Sequence, residues 1–92
     1  MSRPDEPTPS LMTFPCVFHL KVMGRREDGF AQVVSEIVMR HAGDFRPETL
    51  EMRSSKNARY LSLTVTLNAR SREQLDALYS ELSKHPMVIM VL

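Results

Sequence analysis

Between Gly24 and Phe30 the chain reads GRREDGF, the stretch with the most chemistry in it. Two adjacent arginines, Arg25 and Arg26, can clamp a carboxylate, because each guanidinium presents a planar fork of donors. Gly24 and Gly29 let backbone approach a ligand closely. Asp28 stands where a helix is about to begin, and the amide hydrogens of a first helical turn favour anions. The candidate ligand-binding residues are therefore Gly24, Arg25, Arg26, Asp28 and Gly29. A competing arrangement uses the same groups internally, with Asp28 capping the helix and Glu27 paired to an arginine. Farther along, Arg53, Lys56 and Arg59 surround a turn, either as a solvated loop or as a docking patch for an acidic partner.

Other reactive side chains are scattered. Cys16 opens a strand on its apolar alternation and reads as a buried structural thiol. His19, His41 and His85 fall on three different elements and share no ligand spacing, so no metal site is expected. His41 and His85 sit at helix ends, where the dipole favours a cation. The nucleophile-elbow spacing G-x-S-x-G does not occur, and no catalytic residue can be assigned. No cofactor is expected.

Composition narrows the classes. Ninety-two residues make one small domain, and 12 Lys+Arg against 11 Asp+Glu give a net charge of only +1. That balance argues against a nucleic-acid binder driven by bulk charge. The longest apolar run, residues 87–92, is far short of the roughly 20 residues a membrane helix needs. A single cysteine and an N-terminus without an apolar signal stretch point to the cytoplasm. Residues 1–13 carry Pro4, Pro7 and Pro9 and read as a disordered leader, leaving 14–92 as the domain.

The elements that must position these groups follow from periodicity. Cys16, Phe18, Leu20 and Val22 share one side of a two-residue period, which predicts a half-buried strand ended by Gly24. Phe30, Val33, Val34, Ile37, Val38 and His41 have helical spacing, with Asp28 as N-cap and Gly43 as the left-handed residue after the helix. Residues 45–54 are the weakest element, an edge strand that Pro47 suits only at its start. Leu61, Leu63, Val65 and Leu67 alternate with Tyr60, Ser62, Thr64 and Thr66 in the clearest strand, which forms a hairpin with its predecessor. Ser71 to Gln74 fits a capping box, and Leu75, Leu78, Tyr79 and Leu82 form the stripe of a second helix. Pro86 stops that helix, and MVIMVL closes as a strand.

The order β-α-β-β-α-β defines an α+β, ferredoxin-like sandwich: a four-stranded antiparallel sheet, order 4-1-3-2, with two helices on one face. The expected core is Phe18, Leu20, Val22, Val33, Val34, Ile37, Leu63, Val65, Leu75, Leu78 and Leu82. The other face is open and presents Val17, His19, Lys21 and Met23 beside Tyr60, Ser62, Thr64 and Thr66. The last strand carries no charge and is apolar on both alternations, so a homodimer through a sheet edge or the open face is expected.

Two activities of such folds fit poorly. RNA binding needs stacking aromatics on the first and third strands, and only Tyr60 is there. A phosphate-gripping glycine nest in the first loop is replaced by Glu27 and Asp28.

Several stretches resemble the YbeD-like family of small bacterial proteins. They are Phe14-Pro15, Phe18 and Lys21-Val22-Met23-Gly24, then Ser54-Ser55-Lys56 and the segment from Tyr60 to Ala69. Glu73-Gln74, Leu78-Tyr79, Glu81-Leu82, Val88 and Met90-Val91-Leu92 complete the match, which covers residues 14–92. The resemblance implies a fold similar to the ACT domain, a regulatory module that binds ligands where the first strand meets the first helix. Asp28-Gly29-Phe30 is similar to the D-x-P-G-x-L loops of that module, without the proline. The expected function is thus a non-enzymatic regulatory or adaptor module that binds a small carboxylate metabolite or a metabolic enzyme. The alternatives are a small enzyme on phosphate or acyl substrates using the first loop and, below it, a nucleic-acid binder.

Overall fold

The computed structural model describes residues 13–55, 57 and 59–92. The expected leader, except Thr13, and Lys56 of the basic cluster lie outside the described residues. Strand β1 spans Cys16–Arg25 and helix α1 spans Phe30–His41. A single 3-10 turn, Pro47–Thr49, leads into β2 at Glu51–Ser54, followed by β3 at Tyr60–Ala69. Helix α2, Arg72–Lys84, and β4, Val88–Val91, complete the order.

The sheet runs β2-β3-β1-β4, all neighbours antiparallel, which is the expected order read from its other edge. Its centre is the ten-residue ladder between β1 and β3, from Cys16 opposite Ala69 to Arg25 opposite Tyr60. Leu20, Val22, Leu61, Leu63, Val65 and Leu67 turn their side chains to one face, where both helices cover them. Val34, Ile37 and Val38 meet them from α1, and Leu75, Leu78 and Leu82 from α2. Phe18 and Val33 are half-buried at the margin of this core rather than inside it.

Four local expectations are corrected. Gly24 does not end β1, which continues to Arg25. The helix side of Gly24 is filled instead: a Cβ there would lie 2.5 Å from Phe30 Cζ and 2.4 Å from the Met87 carbonyl oxygen. The absent side chain makes room for the Phe30 ring, so this glycine works inside the strand. Asp28 does not cap α1; the N-cap is Gly29 in the left-handed region at φ 85, with no side-chain bond to the first turn. Gly43 is not left-handed, because the chain leaves α1 through Ala42 and tucks the buried Phe45 beneath the helix end. Finally, residues 45–50 are not strand. Pro47 sits in the first turn of the 3-10 segment, where its missing N–H costs nothing.

The capping box at α2 is half formed. Ser71 Oγ accepts the Gln74 amide at 3.0 Å, but Gln74 Oε1 accepts from the Arg70 amide rather than that of Ser71. The Gln74 amide group then donates to the His41 carbonyl at 2.7 Å, joining the start of α2 to the end of α1. Next to it, His41 Nε2 donates to Glu81 Oε1 at 2.7 Å and Arg40 pairs with Glu81 Oε2. His85 plays another part than the dipole cation expected of it, since its Nδ1 accepts the Met87 amide as the chain turns toward β4.

These contacts yield two expected outcomes. Gly24→Ala should destabilise the fold by roughly 1–3 kcal/mol, as overpacking against a backbone carbonyl does. Gly43→Ala, where a Cβ meets nothing within 4 Å, should instead be neutral or add about 0.4–1 kcal/mol. Urea denaturation of both variants checks the pair. Hydrogen bonds from Arg40 and His41 hold the Glu81 carboxyl below its ordinary 4.5. The folded state therefore releases this proton more readily than the unfolded one, and the contribution is present above pH 4.5 and lost as pH falls through the lowered value. Glu81→Gln should lower stability at neutral pH and flatten the acid limb of a pH–stability curve measured by urea denaturation, because the variant has no carboxylate to protonate there.

Candidate functional site

The β1–β3 ladder brings together groups far apart in sequence. Arg25, its last residue, lies opposite Tyr60. One step beyond, the Arg26 amide donates to the Arg59 carbonyl at 2.9 Å, which extends the pairing into the loops. The chain then turns: the Phe30 amide donates to the Glu27 carbonyl, and the Val33 amide to Gly29, starting α1. Arg25, Arg26, Glu27, Arg59 and Tyr60 line one depression of about 420 Å³ at this end of the sheet.

Three guanidinium groups and one carboxylate give the lining a net charge of +2, although the whole chain carries only +1. The contrast with the other arginines is sharp. Arg40, Arg46, Arg70 and Arg72 each have a carboxylate within 4 Å. Among the described residues, Arg25, Arg26, Arg53 and Arg59 have none. Among the described residues, three of the four arginines without a carboxylate partner, Arg25, Arg26 and Arg59, line this one depression.

The sequence-derived candidates separate accordingly. Arg25 and Arg26 line the depression. Asp28 and Gly29 are exposed at the start of α1 and do not line it; Gly24 is buried under Phe30. Arg59, expected in a separate docking patch, belongs with the first loop. Arg53 is opposite Ser62 on the open face, one strand farther out. It lines a second depression of about 300 Å³ with Lys21, Glu51, Met52, Ser62 and Thr64. Tyr60, expected on the open face as its lone aromatic, lines the depression as well. The signal that would have placed it is the β1–β3 register, which no local pattern reveals.

The opposite end of the sheet satisfies its own charges. Asp44 accepts from Asn68 Nδ2 at 3.0 Å and pairs with Arg70 at 3.5 Å. The Asn68 hydrogen bond, opposed by some desolvation and aided by Arg70, holds Asp44 below the usual carboxylate range. Cys16 borders this region and is half-buried rather than fully enclosed. His19 Nδ1 meets Thr66 Oγ1 at 3.0 Å on the open face. Among the described residues no three His, Cys, Asp or Glu side chains are placed to hold a metal ion. No described helix is long and apolar enough to cross a membrane.

Fold and site together define a small ferredoxin-like α+β domain with a basic depression at the β1–α1 end. The solution structure of protein HP0495 from H. pylori superposes with a TM-score of 0.76 at 20% identity, covering 100% of this chain and 96% of that one. The ACT domain from GTP pyrophosphokinase of Chlorobium tepidum gives a TM-score of 0.65 at 13% identity, over 84% and 83%. At these identities the likeness shows the fold alone. By sequence, residues 9–92 match the family described as Protein of unknown function (DUF493), and the chain belongs to it. A UPF0250 protein of Nitrosomonas europaea is 54% identical over 90% of this chain and 95% of its own length. One from Bordetella pertussis is 49% identical over 94% of each. These relatives bear out the YbeD-like resemblance.

Proposed function

We propose that this chain is a cytoplasmic, non-enzymatic regulatory module that binds a small anionic metabolite at the β1–α1 end. The observation that carries this reading is the gathering of Arg25, Arg26 and Arg59 around one depression without carboxylate partners among the described residues. An arginine fork is shaped to grip a carboxylate through two parallel hydrogen bonds. Binding at the end of β1 also acts on α1 through the short loop 26–29, so occupancy is felt by the helix layer. The fold likeness to an ACT domain agrees with a sensing role.

Nuclear magnetic resonance titration tests the site. Amides of residues 24–31 and 59–60 should shift when a panel of amino acids and short carboxylic acids is added, and Arg25→Gln with Arg26→Gln should abolish the shifts. Signals unmoved at millimolar concentration, equivalent to binding weaker than about −4 kcal/mol, would remove the reading.

A second copy of the chain is the partner that the open sheet face suits. Met90 and Leu92 are 47% and 63% exposed there, and Met90 lies opposite Met23. The backbone edge of β4 is a poorer surface, because Gly24 lies opposite Val88 and leaves Ile89 as an extra, bulged residue. Sedimentation should show a dimer that Met90→Lys weakens while the fold persists. A monomer at every concentration up to about 1 mM would overturn it.

A further inference from the structure

We infer that the ligand of the β1–α1 depression is a small dianion, with two negative charges held close together, as in a phosphate monoester or a compact dicarboxylate. The inference rests on the reading of this depression as a ligand site and names the chemistry that site selects. A single carboxylate has two oxygens with about four acceptor positions and one charge. Arg25, Arg26 and Arg59 together offer three forks and, with Glu27 beside them, a surplus of two positive charges. One monoanion leaves half of that surplus uncompensated. A dianion neutralises it and gives the third guanidinium an oxygen to meet.

The alternative means of balancing these charges is used elsewhere in the molecule. Glu81 serves Arg40, Glu48 serves Arg46, Asp44 serves Arg70 and Asp76 serves Arg72. At the depression the only lining carboxylate is Glu27, and it forms no ion pair with the three arginines among the described residues. Like charges lining one depression repel one another, and the β1–β3 ladder and the Arg26–Arg59 backbone bond hold them there. A dianion relieves that repulsion, and its binding therefore stabilises the folded state. Arg26 and Glu27 lead through Asp28 and Gly29 into α1, whose N-terminal end carries the positive pole of the helix dipole. The lining of this depression is thus more positive than the chain as a whole, whose net charge is +1.

The test uses the full chain at low ionic strength and pH 8, where phosphate is doubly charged. Inorganic phosphate, succinate and acetate are titrated while the amides of residues 24–31 and 59–60 are followed. Phosphate, succinate or both should bind at least about tenfold more tightly than acetate; which of them leads tells phosphate from dicarboxylate. Arg59→Gln and, independently, Arg25→Gln should each weaken the tighter dianion about tenfold with the melting temperature of the free protein unchanged or raised. Arg72→Gln, at a paired arginine elsewhere, should leave binding as it was. Acetate binding as tightly as both dianions would overturn the dianion inference while leaving the ligand site standing. If none of the three moves the signals, but an amino acid does, the dianion inference again fails alone. If nothing at all binds, the site falls with it.

Discussion

The ring of Phe30 against Gly24 is the contact on which the arrangement depends. Phe30 is the first residue of α1 and only 1% exposed, and Gly24 is the next-to-last residue of β1. Between them the Met87 carbonyl closes in from the chain segment that enters β4. One missing side chain thus lets a strand, a helix start and the approach to the edge strand meet at a point. The five residues between the two contact partners have no freedom to wander, because both ends of the loop are anchored in the core. Arg25 and Arg26 are held at the sheet's end for this reason. A larger residue at position 24 would push α1 away and open the loop that carries the charges.

Much of the fold was legible because the core residues obey their periods. Leu61 to Leu67 alternate without a break, and the buried face of β3 follows that alternation residue by residue. The stripe of α2 and its Ser71 cap were equally plain, since both depend on neighbours within one turn. The misreadings occur where a tertiary contact overrides a local preference. Glycine reads as a strand terminator at position 24, yet the Phe30 ring requires it inside the strand. Asp28 has the right chemistry for a cap, but the tight turn through Gly29 at φ 85 brings the chain into the helix without it. Phe45, isolated between Asp44 and Arg46, gave no periodic signal, and its burial depends on the turn that brings the chain back against Ala42 at the end of α1.

The site divides along the same line. Arg25 and Arg26 stood out because they are adjacent in a loop between a strand and a helix. Arg59 is 33 positions away from Arg26, and its membership depends on the antiparallel register that sets Arg25 opposite Tyr60. Local spacing assigned Arg59 to Arg53 and Lys56; pairing across the sheet assigns it to the first loop. Charge balance then separates residues that look alike in sequence, since arginines with partners tie elements together and those without are left for something else to meet.

The bulge at Ile89 has a bearing on how the sheet can grow. Strand addition needs a run of evenly spaced donors and acceptors along an edge, and an extra residue breaks that spacing on β4. The opposite edge, β2, offers four residues, two of them charged. Neither side is suited to recruit strand after strand into a ribbon. Contact through the open face obeys a different geometry, because one copy covering another uses that face up on both and leaves none for a third. A face-to-face pair of this kind is closed by its two-fold symmetry, whereas a head-to-tail contact would leave a free apolar face for the next copy and an open fibre.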